Sequence, residues 1–165
     1  MDGSKVMEQN RWIVVGVDFS DGSMRALDYA LKLATEVGAN VACVHAYEDA
    51  ASTPALDDPA PAIRKQLDDA IARSAAYSRN IRVDPVVRRG APWDKLINVA
   101  TELGAELIVV GADGQRGASN ERFLGTVTNR LAITSSRSVV VVPTRRRFDP
   151  MGGRQAEIER VPDSR

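Results

Sequence analysis

The chain has 165 residues, long enough for one domain with a sizeable core. Its 22 basic and 22 acidic residues cancel, so no long-range field draws it to nucleic acid or to an anionic membrane. A single cysteine excludes an internal disulfide framework, and no apolar run approaches the ~20 residues of a membrane-spanning helix.

Met1 to Asn10 is polar, without the apolar centre of a signal peptide. It reads as a flexible arm on a protein expected in the reducing cytoplasm. Trp12 to Val17 is a continuous apolar run, hence a buried strand. The cluster from Asp18 to Ser23 is rich in helix-capping side chains. Met24, Leu27, Leu31 and Ala34 then mark the inner stripe of a helix ended near Gly38. Val41 to Ala46 is a second strand. Tyr47 to Pro61 holds three prolines and four acids and reads as a long surface loop. A helix from Ala62 to about Ser78 follows, then a strand from Ile81 to Arg88. Pro85 inside that strand has no ladder donor, which assigns it to a sheet edge. Trp93 to Leu103 carries a helical stripe of Leu96, Ile97, Ala100 and Leu103. Leu107 to Val110 is a fourth buried strand, Val127 to Ile133 a fourth helix, and Ser138 to Pro143 a fifth strand. Residues 145–165, with Arg145, Arg146 and Arg147, read as a disordered tail, which leaves 11–144 as the domain.

Strands and helices alternate throughout. That pattern predicts an α/β fold, a doubly wound five-stranded parallel sheet of the Rossmann-like kind. In such sheets ligands bind at the carboxyl ends of the strands, where strand order reverses. The loops after the first and fourth strands, with Asp18 and Gly111, then flank one crevice.

The stretch from Leu107 to Thr126 has the build of a phosphate site: strand, glycine loop, helix start. Gly111 and Gly114 follow the strand, and Gly125 and Thr126 open the helix. Glycine backbone lets a phosphate approach without a Cβ in the way, and a helix N-terminus presents N–H donors. Arg116 and Arg122 are the candidate cations, since no lysine lies in the loop.

The chain resembles the universal stress protein family across nearly all of Arg11 to Pro143. The likeness rests on IVVGVDFSDGSMRALDYALKLA from Ile13, on VACVHAY after the first helix, and on VVGADG…LGTVTNRLA…SVVVVP. The ATP-binding branch of that family has the pattern G-x2-G-x9-G-[S/T]. Here ten residues separate Gly114 from Gly125, one more than the family's nine. The resemblance implies strand order 3-2-1-4-5 and bound ATP, with Mg²⁺ on its phosphates. It implies that Asp18 faces the ribose and that Val44 lies near the adenine. Val110, Gly111, Gly114, Gly125, Thr126 and Val127 match the segment around the phosphates. It further implies a homodimer paired through residues 138–143 and a regulatory or protective role in stress.

Two other readings compete. A family member with an empty loop would act as a dimeric interaction protein. A related adenine-nucleotide hydrolase would use the same loop for adenylyl chemistry, but the sequence offers it no catalytic partner. G-x-S-x-G and the Walker lysine motif are both absent, so the protein reads as a non-enzyme. His45, the sole histidine, reads as a strand residue, Cys43 as an inert core thiol and Trp93 as a packing residue.

Overall fold

The structure, a computed structural model, describes residues 11–48, 58–74, 76, 80–112 and 124–143. The expected arm 1–10, tail 145–165, most of the 47–61 loop, and Gly114, Arg116 and Arg122 lie outside them.

The elements run β1 (Trp12–Gly16), α1 (Asp21–Val37), β2 (Asn40–Tyr47), α2 (Ala60–Arg73), β3 (Val83–Arg89), α3 (Pro92–Glu102), β4 (Leu107–Gly111), α4 (Thr126–Thr134) and β5 (Ser138–Val142). All pairings are parallel, in the order β3-β2-β1-β4-β5, as the resemblance implied. The reversal of strand order falls between β1 and β4.

Two hydrophobic clusters cover the sheet. On one face Leu27 and Leu31 of α1 and Leu67 and Ile71 of α2 pack on Val15, Cys43 and Val109. On the other, Leu96 and Val99 of α3 and Leu131 of α4 pack on Val14, Val44, Ile108 and Val110. Burial on both faces explains why β1, β2 and β4 are unbroken apolar runs and do not alternate.

Most boundaries differ from the expectation by a residue or two, and those of α2 and the start of α3 have a clear cause. α2 starts at Ala60, and Pro61 lies in its first turn, where a missing N–H leaves no helical bond unmade. It ends at Arg73, because Ser74 is extended and its hydroxyl donates across to Asp28. α3 likewise begins at a proline, Pro92. Pro85 lies in β3, an edge strand as expected, paired with Cys43 of β2. Gly38 terminates α1 in the left-handed region at φ +68°, where glycine meets no Cβ penalty.

Candidate functional site

The crevice at the reversal of strand order is built from the end of β1, the end of β4 and the first turns of α1 and α4. Ser20 caps α1, its side chain accepting from the Ser23 amide. Ser23 answers in kind: its hydroxyl donates to the Ser20 carbonyl at 3.0 Å and accepts from the Asp18 amide at 3.2 Å. Asp18 Oδ1 accepts from the Ser20 amide at 3.0 Å and from the Ser20 hydroxyl. The S-x-x-S spacing was a visible sign of this reciprocal cap, but the part taken by Ser23 was missed. Asp18 therefore shapes the cap of α1.

Gly111 has a role that its sequence context does not display. A Cβ there would lie 2.7 Å from the carbonyl carbon of Gly22 and 2.8 Å from its oxygen. The end of β4 and the start of α1 thus meet backbone to backbone. The expectation made Gly111 a residue of the phosphate segment; the structure makes it first a contact between two elements.

α4 is tied to the same point. The Thr128 hydroxyl, in a side chain 3% exposed, donates to the Gly111 carbonyl at 2.8 Å. The Gly125 amide donates to the Ala112 carbonyl at 2.8 Å. That bond closes the base of the loop, so the Gly125 N–H is engaged by the chain itself. Pinning at both ends also means that the additional residue between Gly114 and Gly125 does not detach α4 from β4. The first backbone bond of α4 runs from Asn129 N to Gly125 O, so the amides of Thr126, Val127 and Thr128 have no acceptor within the helix. Gly125 provides no side-chain cap, and the first turn holds no acid. Thr126 is exposed at this end.

Val44 and Val110 are buried in the cluster beneath α3 and α4, and Val127 packs on its margin. The structure thus gathers these three expected site residues on one side of the sheet. Val44, 1% exposed, contributes its side chain to the core, and its carbonyl accepts from the Val17 amide at 2.9 Å. Gly114 lies outside the described residues.

The weaker candidates resolve as follows. Cys43 is fully buried, and burial, with Asp68 adding to it, pushes its thiol up to about 12, so no thiolate is present near neutral pH. Trp93 packs at the margin of the second cluster, with the Arg130 guanidinium 5.7 Å from its ring centroid. Arg88 pairs with Glu102 at 3.2 Å on the surface. His45 does more than occupy β2: its Nδ1 lies 2.8 Å from the Val17 carbonyl and its ring stacks on Phe19.

Comparison with known proteins bears on this geometry. The description of the universal stress protein family matches residues 9–143. A universal stress protein of Mycobacterium tuberculosis is 36% identical over 152 residues, covering 84% of this chain and 99% of the relative. One from Bacillus subtilis is 28% identical, covering 79% and 97%. Among solved structures, a universal stress protein in complex with cAMP superposes with a TM-score of 0.61 at 32% identity, covering 82% of this chain and 98% of that one. The Archaeoglobus fulgidus universal stress protein in complex with dAMP gives 0.56 at 26% identity, covering 79% and 95%.

Proposed function

The chain belongs to the universal stress protein family, and from that premise we propose that it binds an adenine nucleotide across the ends of β1 and β4. The ribose lies on the Asp18 side and the phosphates lie over the first turn of α4. The observation that carries this reading is an unbroken series of contacts. Asp18 bonds to Ser23, Gly22 abuts Gly111, Gly111 accepts from Thr128, and Ala112 accepts from Gly125. Ribose acceptor and phosphate donors are thereby held in one rigid frame. A carboxylate accepts from ribose hydroxyls, and helix N-terminal amides with the positive end of the dipole suit a phosphate. Thr126 adds a hydroxyl there.

ATP is the nucleotide we infer, because Gly111, Gly114, Gly125 and Thr126 follow the ATP-binding pattern apart from one inserted residue. Among the described residues no group of three His, Cys, Asp or Glu is placed to hold a metal. Mg²⁺, where it accompanies ATP, would be carried on the phosphate oxygens, the hard ligands it prefers. The ligands of two related structures, cAMP and dAMP, support a second reading in which a mononucleotide is preferred. The protein acts as a regulator or protector, not an enzyme. Without a Walker lysine, hydrolysis is expected far below the ~10 s⁻¹ of a typical enzyme.

Mass spectrometry of the native protein should find a copurifying adenine nucleotide, and calorimetry should rank ATP above AMP and cAMP. Tighter binding of a mononucleotide would favour the second reading. No binding of any of the three would return the protein to the empty-loop interaction class. We further infer a homodimer through β5, an edge strand without a charged residue. Val140 and Val142 pack on one core cluster and Val139 and Val141 on the other, so a charge on either face would strike the core. The suitable test is the mass of the unmodified protein by light scattering at micromolar concentration; a monomer would overturn the dimer.

A further inference from the structure

Phe19 is the one non-glycine residue with positive φ among the described residues, at +64°. A bulky residue holds that conformation only where its surroundings dictate it, and such outliers gather at binding sites. Here the surroundings are on β2. The Val17 amide donates to Val44 O at 2.9 Å. The Val17 carbonyl lies 2.8 Å from His45 Nδ1. A carbonyl only accepts, so Nδ1 carries the hydrogen. The His45 ring in turn stacks on Phe19, with centroids 5.0 Å apart and planes at 29°. The residues on both sides of Asp18 are therefore fastened to β2, one by its backbone and one by its ring.

We propose that Phe19 and His45 are positioning residues that aim Asp18, and thereby set how strongly the site distinguishes ribose from deoxyribose. This rests on the reading that Asp18 meets the ribose. The argument is one of direction. The Asp18 amide is held by Ser23, and its Oδ1 accepts from Ser20. The Val17–His45–Phe19 contacts act on the loop as a whole, tying it to β2 on both sides of Asp18. A carboxylate accepts through two oxygens, and the Ser20 contacts both fall on Oδ1. An acceptor aimed before the ligand arrives loses less freedom on binding. Glycine at position 19 would take the same φ without strain, yet would release the loop to many others.

The test is the ratio of affinities for ATP and 2′-deoxy-ATP, by calorimetry on the full chain. Asp18→Asn defines the ratio when the carboxylate is lost. His45→Phe keeps an aromatic ring against Phe19 but removes the Nδ1 donor, and His45→Asn returns an N–H to nearly the same place. His45→Phe and Phe19→Gly should lower the ratio about fivefold, the worth of one hydrogen bond, toward the Asp18→Asn value. His45→Asn, which restores the N–H to Val17 but not the ring against Phe19, should fall between the wild-type and His45→Phe ratios. Exchange of the Asp18 amide with solvent should quicken in His45→Phe without any ligand present. If His45→Phe weakens both nucleotides equally, or the wild-type ratio survives in it, the positioning role is wrong while nucleotide binding stands. If the wild-type protein binds ATP but Asp18→Asn leaves the ratio unchanged, the ribose reading itself falls, and this inference with it.

Discussion

Two helices begin at the same crevice and begin differently. α1 is closed by its own chain: Ser20 caps it, Asp21 sits in its first turn, and Ser23 and Asp18 complete the loop. α4 starts from Gly125, with no side-chain cap and no acid in its first turn. Both dipoles point their positive ends at the crevice. At α1 that field is answered by oxygens of the protein. At α4 an anion can answer it. A serine cap stabilises by about 1 kcal/mol. Forgoing one at α4 gives up that stability and leaves backbone donors for a ligand. Under the proposed function the same structural feature serves stability at α1 and recognition at α4, and the two starts differ in the capping residue, Ser20 against Gly125.

The contrast breaks most sharply if α4 is given what α1 has. Thr126→Asp places an acid in its first turn, which favours the helix and repels phosphate. ATP affinity should fall about thirtyfold, or ~2 kcal/mol, with no loss of melting temperature. Asp21→Asn on α1 should change affinity by less than about twofold. Calorimetry checks both, and an unaltered affinity in Thr126→Asp would remove the phosphates from α4.

Gly111→Ala tests the frame that joins the two helix starts. Its Cβ would meet the Gly22 backbone at 2.7 Å, and backbone on both sides has little room to yield. Overpacking of this kind costs about 1–3 kcal/mol, visible in urea unfolding. Wild-type stability would mean that α1 and β4 are not in close contact.

A smaller loss is expected from Thr128→Val, which leaves the buried Gly111 carbonyl without its hydroxyl partner. About 1–2 kcal/mol of stability should go, with weaker ATP binding beside it, and Thr128→Ser should recover most of both. Ser20→Ala is the mildest change. It should lower stability by about 1 kcal/mol and, since Asp18 Oδ1 loses only the Ser20 hydroxyl and keeps the Ser20 amide, cost ATP affinity far less than Thr126→Asp. An equal loss of ATP binding there would erase the distinction between the two helix starts.

Much of this was legible beforehand, because local chemistry encodes it. Unbroken apolar runs such as Val14–Val15 and Ile108–Val109 require strands buried on both faces. Leu27, Leu31 and Ala34 required a helix, and Pro85 required an edge. Even the errors at Pro61 and Pro92 were local, a matter of how a proline fits a first helical turn.

The sequence by itself determined the alternation of strands and helices, the parallel sheet and the pair of loops that must share a crevice, because periodicity and turn chemistry are read from neighbours in the chain. Only the tertiary structure decided what the residues in those loops touch. Gly111 meets Gly22, Thr128 meets Gly111, and His45 holds Val17, across separations of 89, 17 and 28 residues (111 minus 22 for the first). No local pattern carries such contacts. They depend on which elements the folded sheet brings side by side, and hydrogen bonds and close packing act on distance in space, without regard to separation along the chain.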